Sequence, residues 1–152
     1  MSANERQVAG SHYNGGKLQH WDYAIQALHN RYLEGQITKY VMRHRKKNGL
    51  QDLQKAEHFL DKLIEVHVIG LVGGLVNVDT AFPMAELISL NGLNSFEAFV
   101  VKRMAHWWRV DHLEQVRVHI RALISVQEEH DAFRQAVKAG AAEPGAGYTN
   151  QD

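Results

Sequence analysis

Lys39 and Arg43 stand four residues apart, and Lys46 and Lys47 follow within the next turn. On a helix of 3.6 residues per turn this spacing makes one positively charged stripe. Past a turn at Asn48-Gly49, Asp52 and Lys55 open the next helix, whose first amides carry partial positive charge suited to an anion. Upstream, Gly15-Gly16 permits close backbone approach to a phosphate, and His12, Tyr13 and Lys17 supply donors. Together these residues would hold a phosphate group. The plain alternative is a solvated helix face. Asp52 is the best acidic candidate for a base or metal ligand, although capping its helix is a simpler duty for it.

Helices must position these groups. A short helix is expected from about Trp21 to His29, and a second from Leu33 to Lys47, with Leu33, Ile37, Tyr40, Val41 and His44 on its apolar face. Asn48-Gly49 should end it, Gly being suited to a left-handed turn. A third helix starts near Gln51 and buries Leu53, Ala56, Leu60, Leu63, Ile64 and His67. From Val66 to Thr80 a helix end followed by a buried linker is preferred to a hairpin around Gly73-Gly74. Helices resume after an N-cap at Asp79-Thr80 and stop at Asn91-Gly92. Ser95 should cap a helix to Arg109 that carries Phe96, Phe99, Val100, Met104 and Trp107 on one side. Asp111 with Glu114 has capping-box spacing for a last helix to about Lys138.

The expected fold is all-α: a small helical bundle of two helical-hairpin lobes, residues 1–70 and 71–138, with a disordered tail over 139–152. A degenerate tandem repeat is suggested by register. Sliding by 63 residues places Lys39 on Lys102, Arg43 on His106 and Lys46 on Arg109. A slide of 60 places Leu53 on Leu113, Leu60 on Ile120 and Leu63 on Leu123.

Composition narrows the function classes. A chain of 152 residues with 45% hydrophobic and 22% charged residues can build one ordinary core. The absence of cysteine excludes thiolate metal sites and cysteine nucleophiles and fits a reducing cytoplasm. Seventeen basic residues balance seventeen acidic ones, which argues against duplex nucleic acid as a partner. The polar N-terminal segment does not read as a signal peptide, and the apolar stretch from Val66 to Val78 is too short to cross a bilayer, so no membrane role follows. Among metal readings, His112 and His119 lie seven apart on one helix without further ligands, so no metal site is expected.

The order of motifs resembles a family of small phage proteins long catalogued as a domain of unknown function, one member of which is a deoxynucleoside monophosphate kinase. The resemblance lies in the pair His12-Tyr13, in Gly35, Lys39, Tyr40 and Arg43, in the basic turn Lys46-Lys47-Asn48-Gly49, and in Asp52, Leu53, Lys55 and Ala56. It covers roughly Ser11 to Leu63. It implies a nucleotide site with His12, Tyr13, Lys39, Arg43, Lys46 and Lys55 near phosphates. Three charged hydrogen bonds at roughly 1.5–3 kcal/mol each must offset at least about 4 kcal/mol of lost freedom. Phosphate contacts alone therefore leave binding near millimolar, and a base stacked on an aromatic side chain would have to add to it. Tyr13, Trp21 and Tyr32 are the candidates, and Tyr40 is expected in the core.

Lys39, Arg43 and Lys46 would neutralise a phosphoryl group in transfer. Gly15-Gly16-Lys17-Leu18 is not a Walker A loop, and no paired-carboxylate magnesium site is evident. A kinase would need a nucleoside triphosphate donor, with or without magnesium. Two other readings stay open: an oligomer that captures a nucleotide or nucleotide signal without turnover, as in anti-defence, and a host-takeover protein that binds a host enzyme through Trp107-Trp108 or the Val66–Val78 stretch. A homo-oligomer is expected because one hairpin offers only a shallow groove. Lys39→Ala and Arg43→Ala should each abolish nucleotide binding with stability nearly unchanged.

Overall fold

The computed structural model describes residues 18–29, 31–76 and 82–140. Six α-helices account for most of them: α1 (His20–Gln26), α2 (Tyr32–Arg43), α3 (Leu50–Val68), α4 (Met84–Asn91), α5 (Ser95–Met104) and α6 (Val110–Lys138). The expectation of a small all-α bundle holds. His12, Tyr13 and Lys17, the Asp79-Thr80 cap and the tail from residue 141 lie outside the described residues.

Two hairpins carry the architecture. α2 and α3 form one, α5 and α6 the other, with α3 packed on α6 and α2 on α5. One hydrophobic core runs through both. Ile37 and Val41 of α2, Leu53, Leu60 and Leu63 of α3, Val100 and Met104 of α5, and Leu113 and Ile120 of α6 are all fully buried. The three pairs aligned by the 60-residue slide (Leu53 and Leu113, Leu60 and Ile120, Leu63 and Leu123) thus face the same core.

The 63-residue slide also aligns polar residues. Glu34 falls on Glu97, and both carboxyls are buried. Glu97 reaches across to the first hairpin, 2.7 Å from His44 Nε2 and 2.7 Å from an Arg45 guanidinium nitrogen. His44 falls on Trp107 under the same slide, and the Trp107 indole stands beside Glu34, close enough to draw its carboxyl down but short of an aligned hydrogen bond. Each hairpin therefore extends a buried carboxylate towards the same place on the other. Burial remains the larger influence on Glu34 and raises its pKa, with Arg31, at 3.1 Å, acting against it.

Several boundaries differ from expectation for identifiable reasons. α2 stops at Arg43 and gives way to one 3-10 turn, His44–Lys46, so Lys46 and Lys47 leave the line of Lys39 and Arg43. Asn94, not Ser95, caps α5, through a capping box with Glu97. α5 ends at Met104 because the chain then enters a short strand, β2 (His106–Trp107), which pairs antiparallel with β1 (Leu75–Val76). That pairing depends on Gly74, where a Cβ would lie 2.4 Å from Trp108 Cα and 2.6 Å from the Trp107 carbonyl oxygen. Gly74 thus admits a distant strand, and the chain does not turn a local hairpin there. The linker expected to be buried is largely exposed at Val68, Ile69 and Leu71. At the start of α6, Asp111 pairs with Arg109 and forms no capping box. Among the described residues, no helix is long and apolar enough to cross a membrane.

Candidate functional site

α2 and α3 run antiparallel because Gly49 takes a backbone conformation, φ 50 and ψ −122, that side-chain-bearing residues strongly disfavour. The reversal brings two faces of the hairpin together around Tyr40. Its ring stacks on Phe59 with centroids 5.8 Å apart and planes 15° from parallel. Tyr32 meets Phe59 edge-on at 6.0 Å. Three cations surround the Tyr40 ring: Arg43 Cζ at 4.6 Å, Lys55 Nζ at 5.7 Å and Lys39 Nζ at 5.8 Å from its centre. Such contacts are worth about 0.5–2 kcal/mol each and offset part of the mutual repulsion of the cations.

Asp52 is the carboxylate that balances this cluster. Fully buried, it accepts from Arg43 through two bonds, Nε to Oδ2 at 3.0 Å and the terminal nitrogen to Oδ1 at 3.2 Å. Asn48 donates to Oδ1 at 3.3 Å. The bidentate bond fixes the guanidinium plane. Lys39 and Lys55 have no carboxylate partner among the described residues.

His20 registers the positive field. Its pKa falls to about 4, through burial first and then the charges of Lys39 and Arg43, while a Gly35 backbone bond acts in the other direction. The Thr38 hydroxyl donates to the Glu34 carbonyl at 2.9 Å, so His20 Nε2, 2.9 Å from Thr38 Oγ1, is assigned as the N–H donor of a neutral imidazole.

Of the residues read from sequence, Lys39, Arg43, Asp52 and Lys55 come together, and Tyr40 belongs with them at the edge of the core. Lys46 and Lys47 do not continue the stripe. Both are exposed, and Lys47 instead lines an open groove of about 680 Å³ between the turn after α2 and α6. Trp107 is fully buried, which removes it from any docking surface, whereas Trp108 is about half exposed. His119 stacks on Phe99 while His112 packs on Trp108, so each is engaged elsewhere than in a shared metal site. Among the described residues, no three carboxylate or imidazole groups gather as metal ligands.

Sequence reasoning missed His20, which no local pattern marks. It also missed Phe59, whose spacing of four from Lys55 on one helix was a usable signal.

A family of unknown function, DUF3310, matches residues 8–61. The matched segment contains every residue of the Tyr40 cluster and ends within α3, about a third of the chain in all. No curated protein and no solved structure matches this chain.

Proposed function

We propose that the α2/α3 hairpin binds a nucleoside monophosphate at the Tyr40 cluster and that the chain phosphorylates it. The carrying observation is the convergence of Lys39, Lys55 and an Asp52-oriented Arg43 on one half-buried aromatic ring. Two ammonium groups without carboxylate partners would meet the phosphate, and Arg43 is held at a fixed angle beside them. Tyr32, well exposed beside Phe59, would stack on the base. The reaction class comes from the resemblance to phage nucleotide kinases. In it the bond from the γ-phosphorus to the β-bridging oxygen of a triphosphate breaks as a monophosphate oxygen bonds to that phosphorus, giving two diphosphates. Positioning and charge neutralisation supply most of such catalysis.

One observation favours capture without turnover. Both oxygens of Asp52 are engaged by Arg43, which limits it as a base or metal ligand.

Calorimetric titration with each deoxynucleoside monophosphate, followed by chromatography of products with a triphosphate donor, tests both readings. Lys39→Ala combined with Lys55→Ala should weaken binding about tenfold or more with little change in melting temperature. Unaltered affinity in that double variant would remove the site. Binding with no diphosphate formed would leave capture alone.

A further inference from the structure

The groove beside the turn lies largely outside the Tyr40 cluster. Its first wall is the turn itself, with Arg45, Lys47 and the N-terminus of α3 at Asn48-Gly49; its second is α6, with His130 and Arg134. Leu50, Leu123 and Val126 contribute apolar surface. At about 680 Å³ it falls in the range of small-molecule sites, about 300–1,000 Å³.

Its charges are unequally committed. Arg45 is neutralised by buried Glu97. Asp131 accepts from Gln127 at 3.0 Å and lies 3.8 Å from His130. Lys47 and Arg134 have no carboxylate partner among the described residues, and they stand on opposite walls. His44, another lining residue, is buried, and its Nδ1 has no hydrogen-bond partner there. Cations on two facing walls, a helix N-terminus and apolar ground between them suit an extended anion with an organic end better than a lone phosphate.

We infer that this groove binds the polyphosphate chain of a nucleoside triphosphate, held between Lys47 on the turn and Arg134 on α6. As the donor site it rests on the monophosphate reading of the Tyr40 cluster. The two places are joined by Asn48, which lines the groove and donates to Asp52, the carboxylate that holds Arg43. Arg134 lies beyond the segment matched by the family, so the second hairpin completes the site.

The test uses the full chain, inorganic tripolyphosphate and ATP as probes, and calorimetry. Arg134→Glu should weaken both probes about tenfold or more, Arg134→Lys should retain most of the affinity, and deoxynucleoside monophosphate binding should be unchanged in both. Probe binding that ignores Arg134→Glu, that is lost with Lys39→Ala instead, or that is absent from the unaltered chain overturns the inference. If the probes bind in an Arg134-dependent way but no monophosphate binds, the groove stands and the Tyr40 reading falls.

Discussion

At His20, burial and the charges of Lys39 and Arg43 act in the same direction and hold the imidazole neutral. That makes the residue a reporter of what occupies the neighbouring site. An anionic phosphate at the cluster cancels part of the field, so the His20 pKa should climb from about 4 towards its ordinary 6.5 when a monophosphate binds. A titration of the imidazole proton shifts by NMR, with and without ligand, checks this; an unmoved midpoint in the bound protein would place the ligand elsewhere. The same depression carries a stability consequence. Between pH 6.5 and about 4 the unfolded chain binds a proton that the folded chain refuses, so stability falls with acidification, by roughly 2–3 kcal/mol from this group alone. Glu34, whose pKa is raised, works against that trend.

Among the elements, the turn between α2 and α3 was the most legible part of the sequence. Asn48-Gly49 marked it, and Gly49 adopts the positive φ that the glycine implied. What could not be read was the 3-10 turn before it, because His44 and Arg45 are drawn across to Glu97, a partner 53 and 52 residues away in sequence. Local periodicity holds no record of so distant a bond, and the apparent stripe therefore ran on to Lys47. The end of α5 escaped for the same reason, since β2 exists only where β1 meets it. Arg43 also acquires a second duty that spacing alone could not reveal. Its removal leaves Asp52 buried without its cation, so Arg43→Ala should cost about 3 kcal/mol in chemical denaturation. Lys39→Ala should stay within about 0.5 kcal/mol. Equal stabilities for the two would mean that the Arg43–Asp52 pair contributes nothing to the fold.

For the whole molecule, the all-α class and the buried faces of α3 and α6 followed from apolar spacing, and the slide of 60 residues already paired their core positions. The geometry of the site needed more. Tyr40 meets Phe59 only once the hairpin has closed, and Arg134 comes to line the same groove as Lys47 only once α6 has packed. The crossed carboxylates have one more implication. Replace the second hairpin by another first hairpin, and each Glu34 would land opposite the other copy's His44, reproducing the Glu97–His44 bond twice over. A chain cut after residue 76 should therefore not stay single. Sedimentation should find it as a twofold pair, its halves locked by the contact that now joins one hairpin of a single polypeptide to the other.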